Sequence, residues 1–431
     1  MSLPSERECY GIARAETIVL GVSVWYQIQC PRSACRKQVE KMREITFFIY
    51  LDACRYDYIS KESTPFLHEL CQNGFFGRVE TVPGFTQEVA MMTGKYPNES
   101  GYFTWYRYAP EKSPFLWVRP FGFLKFLQRF RFYYPIKVGI RTVTRLLTGI
   151  RYPDPAFIPP DVVPYFHNTG AGLPNHLPNL VSLCRLSKRN CFEQMMVLDF
   201  VGSKRCSKLF KAALNSITDG EPCDLYLIHI GELDVLGHRY GPHPELFQQR
   251  LKEIDHWIHA TYELVRRLNF SCNLIIVSDH GMVDVKGTVD IKGKLKRLSL
   301  KIPQDYVYFL DSTMARFWFL SNKARSLIEK MLSDIPNGHI LSQEEKEKLR
   351  INFEHNTYGD ILFWVDKGYL IFPNFFQSVS SEKTRGMHGY IHDVDGALII
   401  YSDEKNARSI AKKDVIPLTE IFNITRDLVG F

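Results

Sequence analysis

Asn273-Leu-Ile-Ile-Val-Ser278, with Asp279-His280-Gly281-Met282 directly behind it, is the stretch on which the fold turns. Its apolar residues are consecutive rather than alternating, so the strand they predict is covered on both faces, as in a mostly parallel sheet packed between helices. Two further runs share the pattern. Ile45-Thr-Phe-Phe-Ile-Tyr-Leu51 stops at Asp52, and Asp224-Leu-Tyr-Leu-Ile-His-Ile230 leads into Gly231-Glu-Leu-Asp234. In open α/β sheets ligands sit beyond the carboxyl ends of the strands, so three ends carrying Asp and His predict one site. Helical segments fit between the runs. Thr64-Pro65 followed by Phe66, Leu67 and Leu70 reads as a helix capped by Thr64. Pro244 to Leu268 carries Phe247, Leu251, Ile254, Ile258, Leu264, Val265 and Leu268 at helical spacing.

The residues at these ends are of metal-binding type. Asp234-Val-Leu-Gly-His238 sets a carboxylate and an imidazole four residues apart, on one face of a helical turn. A plain surface or buried pair has the same spacing, so this pair alone decides nothing. Asp279-His280 before Gly281 is more specific, because adjacent residues splay toward one ion only where the chain turns. His388 lies between Gly386-Met387 and Gly389-Tyr390, and glycine flanks let the backbone hold an imidazole in an unusual pose. Pro83-Gly84-Phe85-Thr86 is a turn between the strand-like Gly77 to Val82 and the helical Gln87 to Thr93. Thr86 thus reads either as an N-cap or as a nucleophile activated by a neighbouring metal.

Taken together, these residues resemble the alkaline phosphatase superfamily, and within it the type I phosphodiesterase / nucleotide pyrophosphatase family. Five ordered motifs carry the resemblance: Leu51-Asp52-Ala-Cys-Arg55-Tyr-Asp57; Thr86 with Met92-Thr-Gly94-Lys-Tyr96-Pro97-Asn-Glu99-Ser-Gly101; Asp234 to Pro242; Ser278 to Met282; and Gly386 to Tyr390. The resemblance implies an alkaline-phosphatase-like, mostly parallel sheet sandwiched by helices, with inserted segments forming a small cap. It further implies two divalent ions, zinc by family expectation, with manganese or iron compatible with the ligand types. One ion would be held by Asp52, Thr86, Asp279 and His280, the other by Asp234, His238 and His388. The implied reaction is hydrolysis of a phosphodiester or pyrophosphate through a phosphothreonine at Thr86. One departure stands out: where the family carries an Asn shortly after Gly101, this chain has Tyr102-Phe103-Thr104-Trp105. Arg55, Lys95 and Asn98 are the candidate substrate contacts.

The 431 residues, 45% apolar and 23% charged, form a globular chain with a formal charge of +7. Tyr102 to Tyr152 alone holds ten Lys or Arg against one acid, Glu111, together with 15 aromatics. Such a segment either packs its aromatics inward and leaves its cations in water, or lies on an anionic membrane, or holds nucleic acid, the least favoured partner. The expected organisation is an N-terminal extension at 1–41, a catalytic domain at 42–101, 201–286 and 377–431, a basic aromatic insertion at 102–200 and a cap at 287–376. Residues 1–41 show no clear element on this reading. Ten cysteines without C-x-x-C spacing predict reduced thiols, and with no export signal or membrane span recognised the expected location is cytoplasmic or membrane-peripheral. The expected substrate is a phosphorylated small molecule or a lipid head group. Alternatives are a phosphomonoesterase, a head-group transferase at a membrane surface, and an inactive protein that binds a phosphorylated ligand.

Overall fold

The structure, a computed structural model, describes residues 13–19, 22–28, 42–129, 133–148, 158–169, 176–187, 189–194, 205–218, 222–377, 383–393, 395–411 and 413–431. The chain divides into two units, Met1–Arg43 and Glu44–Phe431. The first contains an antiparallel pair, Ala13–Val19 with Val22–Ile28, in register from Ala13 opposite Ile28 to Val19 opposite Val22. This corrects the expectation that 1–41 lacks a clear element. Thr17, Ile18 and Val19 against Val22, Val24, Trp25 and Tyr26 are residues of high strand preference, and pairing so close in sequence needs no buried apolar run.

In the second unit the sheet has seven strands: β1 (Glu44–Leu51), β2 (Phe75–Glu80), β3 (Cys191–Gln194), β4 (Leu225–Ile230), β5 (Ser271–Val277), β6 (Gly396–Ser402) and β7 (Val415–Pro417). Their spatial order is β7-β2-β6-β5-β1-β4-β3. The three apolar runs of the sequence are its centre, with β1 parallel to both β4 and β5. Only β6 runs against its neighbours, so the sheet is mostly parallel, as expected.

Among the helices are α1 (Pro65–Asn73), α2 (Gln87–Thr93), α3 (Tyr133–Thr148), α4 (Arg205–Thr218), α5 (Glu232–Tyr240), α6 (Gln248–Arg267) and α7 (Glu420–Val429). Alternate strand residues serve opposite layers, which is why β1 reads as continuous apolar sequence. Ile45, Phe47, Ile49 and Leu51 pack with α1, α4 and α6, whereas Phe48 and Tyr50 pack with α2 and α7. Thr64 stands at the N-cap position of α1 but does not cap it. Its hydroxyl donates to the Ser60 carbonyl at 3.1 Å, and the free amides of Phe66 and Leu67 donate instead to Asp255 of α6, at 3.2 and 2.8 Å. A buried carboxylate from a neighbouring helix is the stronger acceptor, so the tertiary contact displaces the local one.

Between β5 and β6 a second sheet pairs Tyr306–Leu310, Met314–Phe319, Ile361–Val365 and Gly338–Ile340 in that order, with the helix Asn322–Ser333 beside it. The basic aromatic segment packs on this sheet. Its antiparallel pair, Tyr106–Tyr108 with Phe166–Asn168, stacks Tyr106 on Phe309 at 5.2 Å and Tyr108 on Trp318 at 5.1 Å. Of the 15 aromatics from Tyr102 to Tyr152, Phe130, Phe132 and Tyr152 lie outside the described residues.

Arg316 joins the two layers. Fully buried, it donates from Nε to Asp311 at 2.7 Å and from Nη1 to the Tyr106 carbonyl at 2.7 Å, with its guanidinium over the Phe309 ring at 4.5 Å. Removing one member of a buried ion pair strands the other charge. Arg316→Met is expected to destabilise the protein by about 3–5 kcal/mol. Asp311→Leu combined with it should recover most of that loss, and urea unfolding of the two variants checks both outcomes.

Candidate active site

The carboxyl ends of β1, β4 and β5 bring the expected ligands together. Asp52 follows β1, and its amide donates to the Ile230 carbonyl at the end of β4 at 3.0 Å. Ala53 then adopts a left-handed conformation, φ 58°, so the chain leaves the sheet abruptly behind Asp52. Asp234 and His238 lie one turn apart on α5, with His238 Nε2 3.3 Å from Asp234 Oδ1. Asp279 and His280 follow β5; His280 Nε2 is 3.3 Å from Asp279 Oδ2 and 3.5 Å from Asp52 Oδ1.

His388 closes the cluster. Its Nε2 is 3.5 Å from Asp234 Oδ1, and its ring lies flat on that of His280 with centroids 3.7 Å apart. The glycines around it have separate roles. Gly386 touches the backbone of Gly237 so closely that any Cβ would collide with it, and its carbonyl takes the Nδ1 side of His238 at 2.9 Å. Gly389 has φ +80° and faces the Phe85 ring. Outer contacts of this sort fix ring orientation in metal-binding histidines.

The donor set fits cations. Asp234, His238 and His388 form one group of three whose ligand atoms all lie within 4.8 Å of one another, and Asp52, Asp234 and His280 form another, so Asp234 belongs to both. Asp234 Oδ1 and His388 Nδ1 are buried with no hydrogen-bond partner among the described residues. Burial, then the charges of Asp279 and Asp234, pushes the Asp52 carboxyl well up. Burial alone would lower His280, but Asp279, Asp52 and Asp234 outweigh it and raise the imidazole to about 9. Burial, then His280 and His238, holds His388 well below its usual range and therefore neutral, the form that ligates metal. Acids and imidazoles so crowded, with unpartnered polar atoms among them, fit the donor set of an ion-binding cluster.

Thr86 occupies the N-cap position of α2, yet its side chain makes no capping bond. The backbone is fixed by other contacts: the Phe85 amide donates to the Phe103 carbonyl at 2.8 Å, and Gln87 Nε2 to the Gly84 carbonyl at 2.7 Å. Phe85 in turn lies edge-on to His388, with ring centroids 6.0 Å apart. Thr86 is buried, at 5% exposure. The backbone at Thr86 is thus held by its neighbours, and its hydroxyl is not used to cap the helix.

The candidate substrate contacts fare differently. Arg55 is committed to Asp57 through Nε at 2.8 Å and Nη2 at 2.6 Å, and to the Met282 carbonyl through Nη1 at 2.7 Å. Asn98 donates to Asn352 at 2.9 Å. Lys95 is exposed. After Gly101, Phe103 buries itself against Phe353, Tyr358 and Trp364, so this segment is turned toward the second sheet.

With this geometry in view, the comparisons with known proteins are specific. The family model described as type I phosphodiesterase / nucleotide pyrophosphatase matches residues 46–391. The chain belongs to that family. Among curated relatives, mouse ectonucleotide pyrophosphatase/phosphodiesterase family member 7 is 28% identical over 176 residues, 39% of each chain. The match therefore spans about two fifths of that relative's length. Among solved structures, human ectonucleotide pyrophosphatase/phosphodiesterase 5 superposes with a TM-score of 0.61 at 16% identity, covering 90% of this chain and 95% of its own. A murine counterpart, solved as an inactive variant in complex with AMP, gives the same score and identity over 91% and 96%. The expected α/β architecture with a central, mostly parallel sheet agrees with this fold.

Three site residues escaped the sequence reading. Tyr50 of β1 donates its hydroxyl to Asp279 Oδ2 at 2.7 Å. His229 of β4 is its register partner, stacks on its ring at 4.1 Å, and brings Nε2 to 3.2 Å from Asp52 Oδ2. Each therefore holds one ligand carboxylate in place. A histidine inside the core run Leu225-Tyr-Leu-Ile-His-Ile230 was the available signal.

Glu88 of α2 is the third. Burial raises its carboxyl to about 7, Asp279 adds to this, and its backbone, His229 and His280 oppose it. In metal-free protein the unfolded carboxyl ionises near 4.5 while the folded one keeps its proton to about 7. The folded state's advantage is thus complete below pH 4.5 and is lost as pH rises to about 7. Glu88→Gln is expected to be more stable than the wild type at pH 8, by up to about 3 kcal/mol. At pH 5 the gain should shrink below about 1 kcal/mol. Urea unfolding with a chelator present at both pH values tests the sign.

Proposed function

We propose that this chain is a two-metal hydrolase of phosphodiester or pyrophosphate bonds that works through a covalent phosphothreonine at Thr86. The observation that supports it most is the uncapped Thr86 hydroxyl on α2, whose Glu88 feels the charges of Asp279, His229 and His280. Asp52, Thr86, Asp279 and His280 would hold one ion, and Asp234, His238 and His388 the other, zinc being the first metal to try. A pair of ions in such a site makes a hydroxyl or a water nucleophilic at neutral pH and offsets the charge of the phosphoryl group.

The chain's residues then have defined tasks. Thr86 Oγ1 bonds to phosphorus as the bond to the leaving alcohol or phosphate breaks, and the hydroxyl proton leaves with the departing oxygen. A water oxygen next attacks phosphorus from the opposite side, the bond to Thr86 breaks, and one water proton restores the hydroxyl. Two in-line displacements give net retention at phosphorus. Tyr50 and His229 keep Asp279 and Asp52 aligned throughout. In this reading residues 42–101, 201–286 and 377–431 form the catalytic domain and 287–376 the cap.

The AMP held by the murine structural neighbour makes esters of nucleoside 5′-monophosphates the first substrate class to try. The test is zinc-supplemented turnover of bis-p-nitrophenyl phosphate, p-nitrophenyl phosphate and a p-nitrophenyl ester of AMP. Preference for the two diesters supports the proposal. Preference for the monoester would replace it with a phosphomonoesterase, and no turnover with no bound metal would leave a phospho-ligand binding protein.

A further inference from the structure

The basic aromatic segment is the part of the sequence that the catalytic reading leaves unused. From Lys112 to Pro153 it contains nine Lys or Arg and no Asp or Glu. Part of its apolar content is absorbed by the cap: Tyr106, Phe115, Val118, Ile140 and Phe166 are buried in one cluster with Phe309 and Trp318. Among the described side chains of α3, the buried ones lie on one edge. Ile140 and Thr144 are buried, and Thr144 Oγ1 accepts a hydrogen bond from Trp117 Nε1 at 3.1 Å.

Among the described side chains of the helix, several others are exposed. Leu146 is 78% exposed and Leu147 65%, with Val143 one turn before them. Arg141 and Arg145, also exposed and one turn apart, lie on the other flank of the helix. Phe121 and Phe123 of the preceding 3₁₀ turn, Leu116–Arg129, are exposed too, Phe123 at 65%. Large apolar side chains left in water beside a row of cations, with no acid over 42 residues to pair them, suit one kind of surface.

We propose that α3 and the turn before it dock this protein on an anionic lipid surface, with Val143, Leu146, Leu147 and the two phenylalanines entering the interface and Arg141 and Arg145 meeting the head-group charge. No helix among the described residues is long and apolar enough to cross a membrane, so the contact is a peripheral one. The buried cluster that seats α3 also takes in Phe85, Met387 and Tyr390, sequence neighbours of Thr86 and His388. Docking face and catalytic cluster are therefore carried by one packed body. Exposure and charge on α3 support this docking independently of the chemistry at Thr86.

The experiment is co-sedimentation of the full chain with vesicles of phosphatidylcholine alone and of phosphatidylcholine with one third phosphatidylglycerol. Partitioning is expected to be at least tenfold stronger on the anionic vesicles and to fall steeply between 50 and 500 mM salt, concentrations chosen to span screening of such charges. Arg141→Glu/Arg145→Glu and Leu146→Asp/Leu147→Asp should each reduce it at least tenfold, with thermal unfolding unchanged. Equal partitioning on both vesicles, none on either, or full binding by both double variants would overturn the proposal. So would a wild-type dimer that Leu146→Asp/Leu147→Asp converts to monomer without any vesicle binding, or duplex DNA or RNA bound more tightly than the anionic vesicles.

Discussion

Thr86→Ala is expected to lower kcat/KM for a phosphodiester by at least about 10³-fold while leaving stability almost unchanged. The two halves of this expectation come from one observation. An N-cap threonine that bonds a helix amide costs about 1 kcal/mol when truncated, but the Thr86 hydroxyl makes no such bond. The loop around it is held by Gln87, Phe85 and Phe103 through contacts that alanine leaves in place. A change in denaturation midpoint worth more than about 1 kcal/mol would mean that the hydroxyl serves the helix after all. Activity within tenfold of the wild type would exclude Thr86 as nucleophile. Thr86→Ser, which keeps the oxygen and removes only the methyl, should restore measurable turnover and phosphoenzyme.

What could be read from sequence was what lies along one strand or one turn. Asp52, Asp279 and His280 end continuous apolar runs, and Asp234 and His238 share a helical turn, so local pattern places them at one edge of a parallel sheet. Tyr50 and His229 were out of reach because their meaning depends on register. They sit opposite each other only because β1 and β4 pair at Tyr50 and His229, and only then do their polar tips reach Asp279 and Asp52. β6 carries the same continuous apolar run as the central strands, Ala397-Leu-Ile-Ile400, though its antiparallel direction could not be read from it, and the short β7 gains its place through β2. The basic segment could be located by charge but not sorted. Tyr106 is buried and Leu146 exposed because the first faces the cap and the second does not, and no periodicity within 102–152 contains that partner. Thr64 shows the same limit on a smaller scale, since the acceptor that caps α1 comes from Asp255, far away in sequence.

Asp234→Asn should have the second large effect, and one that distinguishes a shared ligand from an ordinary one. Asp234 is the only residue common to both ligand groups among the described residues, with Oδ1 3.3 Å from His238 Nε2 and 3.5 Å from His388 Nε2. Without metal its charge is a liability, because it adds to the burial and the Asp279 charge that raise the Asp52 carboxyl. Asparagine keeps the shape and removes that repulsion. Metal-free Asp234→Asn is therefore expected to be as stable as the wild type or more so, whereas the thermal shift on adding zinc should shrink. Metal affinity weakened about 100-fold corresponds to about 2.7 kcal/mol of lost linkage stabilisation. Metal content should drop from two ions to one or none per chain, and diester turnover by at least about 10²-fold with it. Replacing His238 with alanine should spare the ion at Asp52, Asp279 and His280, so its residual metal content should exceed that of Asp234→Asn. If Asp234→Asn keeps two ions and the full zinc-dependent shift, the carboxylate is a hydrogen-bond partner of the histidines and the two groups are separate sites. If it loses both, the ions are coupled through one oxygen-bearing side chain, and occupancy of the second depends on the first.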